Sequence, residues 1–249
     1  MQACEFADSL PNCELVAFDE TARKDPVPRF DPATSARLDA LVQRAIGLIP
    51  ADGRAILAIA GSPGAGKTTI ARELTERVNR ARGTTDAAYL PLDGFHLANS
   101  TLDRLGIHDR KGAIDTFDGW GFLALIERVR TELDHVVYAP SFDRSVDEGI
   151  AGEIAIPAAT RLVIVEGNYL LVDQAPWSAL RAHFTESWFC ETSDAERLRR
   201  LVDRHERHGR TPEAARDWAT HVDGANALVI NASSSRADLV ISGETAQIL

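Results

Sequence analysis

Lysine is almost missing from this 249-residue chain: of 27 basic side chains only Lys24, Lys67 and Lys111 are lysine, the other 24 being arginine. Wherever positive charge alone was wanted the chain uses arginine, so a lysine inside a motif carries added meaning. Cysteine is scarce too. Cys4, Cys13 and Cys190 are odd in number and contain no C-x-x-C pair, which argues against a disulfide framework or a thiolate zinc site. No apolar stretch approaches the ~20 residues that span a bilayer; the longest lie around Ala55–Ala60 and residues 162–165. Neither a basic leader nor an apolar signal core follows Met1, which predicts the cytoplasm. Positive charge is also in deficit. A net charge of −10 argues against nucleic acid or an anionic membrane as the main partner, so any anion site must be local.

What is present is an ordinary globular composition, 45% apolar and 26% charged, in a length that suits one α/β domain. Residues 1–30 alternate short apolar pieces with Pro11, Pro26 and Pro28 and read as an N-terminal extension, leaving residues 31–249 as the folded domain. Leu38, Leu41, Val42, Ala45 and Ile46 recur at helical spacing up to Pro50. Strand candidates are Ala55–Ala60, Ala87–Pro91 and residues 136–138, 161–165, 187–190 and 237–241, separated by helical stretches such as 120–133 and 195–208. This alternation predicts a doubly wound parallel sheet. Ser193 and Glu196 have capping-box spacing, and Thr211-Pro212 places a cap ahead of a proline at the first helical position.

Gly61-Ser62-Pro63-Gly64-Ala65-Gly66-Lys67-Thr68, followed by Thr69, fits G-x-x-x-x-G-K-[ST] between a buried strand and a helix. Such a loop turns successive N–H groups inward on a nucleotide's phosphates. Its lysine reaches the β/γ-phosphates and its hydroxyl ligates magnesium. ATP and Mg2+ are therefore the expected cofactors. The guanine-reading N-K-x-D and the L-S-G-G-Q signature are both absent, so a GTPase and an ABC-type ATPase are disfavoured against transfer to a small molecule.

Two strand ends carry acids. Asp93, in Leu92-Asp93-Gly94-Phe95-His96, follows a strand and is a candidate proton acceptor or magnesium holder, against the plainer reading of an Asp-Gly turn. Glu166 ends the strand Val163-Ile164-Val165 and is the other metal-shell candidate. Between Glu196 and Arg210 lie six arginines. Arg197, Arg200, Arg204 and Arg207 share a helical face that reads either as solvated or as phosphate-directed, with Arg204 and Arg210 the candidate lid clamps.

The P-loop, Asp93-Gly94-Phe95-His96, Arg110-Lys111-Gly112 with Thr116-Phe117-Asp118, Tyr138-Ala139-Pro140-Ser141-Phe142-Asp143, Glu166-Gly167-Asn168-Tyr169 and the Arg204 to Arg210 segment occur in an order that resembles the uridine kinase, phosphoribulokinase and type I pantothenate kinase superfamily. Within it the chain looks most similar to the bacterial fructose-transport-system kinase, or nucleoside/nucleotide kinase-like, group. The resemblance implies a P-loop NTPase fold with a mobile lid and Asp93 as catalytic base. It implies Lys67 and Arg204 as phosphate clamps and Thr68 with Glu166 as the magnesium environment. Phe95, His96, Arg110, Lys111, Phe142, Asp143, Arg144 and Tyr169 would face the acceptor, and Asn226 and Arg236 would lie near adenine. Gly112 stands where uridine kinases hold ribose with an Asp, and Phe142 and Arg144 replace the Tyr and His of pantothenate kinases. The expected activity is ATP-dependent phosphorylation of a hydroxyl on a sugar, sugar acid or sugar-like metabolite. A nucleoside, pantothenate-type or nucleotide kinase and a non-catalytic ATP-binding regulator are the alternatives, and a homodimer is left open.

Overall fold

Strand β1 (Ala55–Ala60) is apolar at every position because the sheet is covered on both faces. Ile56, Ala58 and Ala60 point into one core, with Phe122, Ile126, Trp177 and Ile230. Leu57 and Ile59 point into the other, with Leu38, Leu41, Ile70 and Leu74. The computed structural model describes residues 30–249, so the expected extension lies, apart from Phe30, outside the described residues, together with Cys4 and Cys13.

Helix α1 (Pro32–Gly47) starts where the Asp31 carboxylate accepts the Ala33 and Thr34 amides at 2.9 and 3.1 Å. It packs with α2 (Lys67–Arg82) on one face. Strands β2 (Ala87–Pro91), β5 (Leu162–Gly167), β6 (Glu186–Glu191) and β7 (Leu239–Ser242) join β1 in a five-stranded, all-parallel sheet of order β2-β5-β1-β6-β7. Helices α3 (Asn99–Leu105), α4 (Gly119–Thr131), α5 (Asp194–Arg207) and α6 (Pro212–Asn231) complete the α/β fold. Being parallel, the strands end at one edge, and their register aligns Ala60 with Gly167 and Phe189, Pro91 with Glu166, and Glu191 with Ser242.

Two expectations need correction. The segment at 136–138 does not enter the parallel sheet: β3 (Val137–Asp143) pairs antiparallel with β4 (Glu148–Ile156) as a separate hairpin. Tyr138 is exposed and the pairing slips between Ala139 and Ser141, where Pro140 offers no amide to the ladder. The β4 half escaped notice because Gly149 and Gly152 dilute its alternation. Ser193 does occupy the N-cap of α5, but its hydroxyl donates to Glu244 Oε1 and Glu196 turns to Arg199 and Arg200, so no capping box closes. The Thr211 cap forms as expected, accepting the Ala214 amide.

The hairpin lies against the turn after β2. A Cβ on Gly94 would land on the Pro140 carbonyl oxygen, so only glycine permits this approach. At the opposite edge of the sheet Arg54 is 3% exposed and gives its guanidinium to three carbonyls, Thr160 at 2.9 Å, Val129 at 2.7 Å and Pro157 at 3.0 Å. One cation thus ties α4 and the β4–β5 connection to the start of β1. Replacing it strands three buried acceptors. We predict that Arg54→Met loses about 2–4 kcal/mol in urea unfolding with an unchanged slope; a loss within experimental error refutes the tie.

Candidate active site

The loop between β1 and α2 wraps a concave backbone because Gly64 and Gly66 take φ of 78° and 96°. Three successive carbonyls, those of Pro63, Gly64 and Ala65, are held from outside. The Ala65 carbonyl accepts Cys190 Sγ at 3.2 Å and Thr192 Oγ1 at 2.8 Å, both from the end of β6. Arg197 reaches the Pro63 carbonyl, and Arg200 reaches those of Gly64 and Gly243. Ser62 Oγ donates to Asn231 Oδ1 at 2.6 Å. The amides of Lys67, Thr68 and Thr69 lie ahead of the first helical bond of α2, from the Ile70 amide to the Gly66 carbonyl, and supply the anion-seeking end of the helix.

Lys67 is 7% exposed, its Nζ donating to the Ser62 carbonyl at 3.0 Å and to Asn168 Oδ1 at 2.8 Å. Burial lowers its pKa, against the pull of Glu166, Cys190 and Asp93. Glu166, 3% exposed, accepts Thr68 Oγ1 at 3.1 Å and Tyr89 OH at 2.9 Å. Burial raises its pKa, and Lys67 opposes the rise. Burial would raise Asp93 as well, but Arg144 foremost, with Lys67 and Arg204 among the others, outweighs it and holds this carboxyl below the usual range. The neighbouring acids are thereby driven apart. His96 stacks on Phe117 with ring centroids 4.0 Å apart and faces Phe142 at 4.9 Å; burial takes its pKa to about 4, so it is neutral at working pH.

The arginine run resolves by partner. Arg197 is spent on Asp194 and the loop, Arg199 on Glu196 and Asp203, and Arg200 on Glu196 and the loop. Arg207 donates to the Asp203 carbonyl. The half-buried Arg204 faces the site: burial lowers its pKa, Arg144 lowers it further, and Asp223, Asp93 and Glu166 act against that. Arg210 is placed elsewhere, exposed, its guanidinium 3.9 Å from the centroid of the Trp218 ring.

The remaining sequence candidates divide. Phe95, His96, Phe142 and Arg144 line the side where the hairpin meets the Asp93 turn, and Asp143 orders the hairpin turn by accepting the Ser145 amide and hydroxyl. Lys111 is a tether, bonded to Asn99 Oδ1 and to Asp147. Arg110 pairs with Asp115 at 2.7 Å. Tyr169 is buried and donates to the Gly112 carbonyl at 2.6 Å, which makes it a support beneath that loop. Arg236 pairs with Asp173, and Asn226 is buried in α6 with no partner for Nδ2. Sequence reasoning missed Tyr89, Asn168, Asn231, Thr192 and Gly243 as site-building residues. Asn168 alone carried a signal, standing two residues after Glu166 within a quoted motif.

Gly243 follows β7 and packs behind the loop. A Cβ there would fall on the Ala65 carbonyl oxygen, and because the φ of Gly243 is not left-handed this clash is what excludes a side chain. We therefore predict that Gly243→Ala displaces the loop and weakens ATP binding by about 10-fold or more, equivalent to ~1.4 kcal/mol, in titration calorimetry; unaltered affinity would show that the loop does not depend on this seat.

Residues 56–247 match the model of the Phosphoribulokinase / Uridine kinase family. A Silicibacter sp. TM1040 structure, provisionally described as a fructose transport system kinase, superposes with a TM-score of 0.75 at 38% identity, over 82% of this chain and 98% of that one. A Schizosaccharomyces pombe protein provisionally named a uridine kinase is 33% identical over 154 residues, 60% of this chain and 66% of its own. An ATP-dependent kinase-like protein of Aspergillus versicolor is 37% identical over 131 residues, 50% of this chain and 76% of its own. Among the described residues no helix is long and apolar enough to cross a membrane. With the loop, its lysine and the flanking carboxylates on one sheet edge, the chain belongs to the Phosphoribulokinase / Uridine kinase family and is an ATP-dependent small-molecule kinase.

Proposed function

We propose that the protein transfers the γ-phosphoryl group of ATP to a hydroxyl of a small polar metabolite, a sugar, sugar acid or sugar-like compound. The observation that carries this reading is the contact of Lys67 with Asn168 and of Thr68 with Glu166 at the phosphate loop, with Asp93 and Arg204 near enough to act on the charge of Lys67. The loop amides and Lys67 hold the β- and γ-phosphates, and Arg204 meets the charge that spreads over the moving phosphoryl group. Asp93 accepts the proton of the acceptor hydroxyl. The acceptor oxygen bonds to the γ-phosphorus as the bond to the β–γ bridging oxygen breaks, and ADP leaves with that electron pair.

Thr68 Oγ1 and Glu166 are the residues that would hold Mg2+, a hydroxyl and a carboxylate oxygen matching the hard ligands this ion takes. Among the described residues no group of three or more His, Cys, Asp or Glu forms a metal cage, consistent with an ion held mainly by phosphates and water. When bound it neutralises phosphate charge. A uridine-like acceptor is disfavoured because Gly112 offers no side chain, and its amide and carbonyl are taken by Thr116 and Tyr169.

The test is ADP release with ATP, magnesium and a panel of sugars, sugar acids, nucleosides and vitamins. Acceptor-dependent release is expected, whereas ATP binding with no response across the panel would favour a nucleotide-binding regulator. Asp93→Asn is expected to keep ATP affinity and to lower turnover about 10²–10⁴-fold, whereas Lys67→Ala weakens nucleotide handling. Near-normal turnover by Asp93→Asn on the best acceptor refutes the assigned base.

A further inference from the structure

The acceptor side of the site holds an ion pair that phosphoryl transfer does not require. Arg144 begins the turn between β3 and β4, and its Nη2 meets Asp93 Oδ2 at 3.1 Å across 51 residues of sequence. The Arg144 side chain is 45% exposed and that of Asp93 31%, so the pair is open to solvent and cheap to exchange. Of the other cations nearby, Lys111 is bonded to Asn99 and Asp147 and Lys67 to the loop itself, while Arg204 is the one assigned to the phosphoryl group. Arg110, in an equally exposed pair with Asp115, does not touch Asp93. Arg144 also lies over the Phe142 ring, 6.0 Å from its centroid, next to His96, whose buried Nδ1 has no partner among the described residues. The wall it belongs to is therefore aromatic, with two cations on its rim, Arg144 and, 5.2 Å from the centroid of the same ring, Lys111, which is already bonded to Asn99 and Asp147.

A carboxylate held by a guanidinium accepts a proton poorly. Resting on the kinase reading above, Asp93 must shed part of this pairing to serve as base. A neutral alcohol offers Arg144 nothing in return, leaving a guanidinium to be stripped of its partner. A carboxylate or phosphate on the acceptor offers an equivalent or better two-pronged partner. We propose that the acceptor carries an anionic group, and that Arg144 binds it in exchange for Asp93, so that the base is freed when a charged acceptor is in place. Arg144 is then the residue that sets substrate charge.

The experiment compares full-length wild type, Arg144→Gln and Arg144→Lys on acceptors that share the sugar ring and differ at C6: a hexose, its uronate and its 6-phosphate. The uronate and phosphate arms distinguish carboxylate from phosphate as the anion read. Wild type is expected to favour one charged member by about 10- to 100-fold in kcat/KM. Arg144→Gln should erase that preference through KM of the charged member while the neutral sugar holds or gains, and should raise ATP hydrolysis to water; Arg144→Lys should keep part of the preference. Equal or better turnover of the neutral sugar by wild type overturns the inference, as does an equal loss on both classes in Arg144→Gln. Unchanged hydrolysis to water in that variant overturns the masking of Asp93. No acceptor-dependent ADP release from wild type with any member overturns the kinase reading itself, a different result from release without charge preference.

Discussion

The carbonyl of Ala65, held from behind by Cys190 and Thr192, decides what the β1–α2 loop can bind. Every residue of a loop except proline, here Pro63, brings one donor and one acceptor, and a loop whose acceptors are engaged on its outer side is left with donors for the inner one. The outer contacts come from β6, from the residue after β7 and from α5, so three neighbours that are remote in sequence give the loop its polarity. Burial pushes the Cys190 thiol up to about 12, which keeps it a protonated donor toward that carbonyl. Lys67 closes the loop from inside by bonding the Ser62 carbonyl, so the cation is already drawn over the place where phosphate charge collects.

The two carboxylates beside this loop differ both in exposure and in company. Glu166 rests on neutral donors, the Thr68 and Tyr89 hydroxyls, and its pKa rises under burial. Asp93 rests on a guanidinium and is held low. In the assigned roles that difference has a direction. The acid closest to the loop hydroxyl suits a hard ion, and the acid on the open side suits the incoming alcohol once its cation is drawn away.

Much of the sheet could be read from the sequence because its signals are local. A continuous apolar run such as Ala55–Ala60 and a glycine-rich loop ahead of a helix need no knowledge of their neighbours. Asp93 and Glu166 were readable as strand-end acids for the same reason, and parallel register then aligns Pro91 beside Glu166. The residues that escaped are those whose part depends on what faces them. Tyr89 looks like any half-buried strand residue until its hydroxyl meets Glu166, and Gly243 looks like any turn glycine until the Ala65 carbonyl lies against it. The arginine run shows the same limit. Helical spacing puts Arg197, Arg200, Arg204 and Arg207 on one face, and only their partners tell them apart. Arg197 and Arg200 reach the loop carbonyls and Arg207 the Asp203 carbonyl, while Arg210, beyond the helix, stacks on Trp218.

The site is thus built on two foundations of different rigidity. Its phosphate half stands on five strands whose register fixes every contributing strand end at once, so a change there disturbs several groups together. Its acceptor half stands on a two-stranded hairpin that pairs with no strand of the main sheet and touches the Asp93 turn through Gly94 and the Pro140 carbonyl. In the proposed roles, substitutions in the exposed turn of that hairpin, Arg144 among them, alter what meets the acceptor without moving β1 or its loop. The same physical separation explains why the nucleotide side carries a pattern legible in one chain, whereas the acceptor side is read through a single ion pair joining residues far apart in sequence.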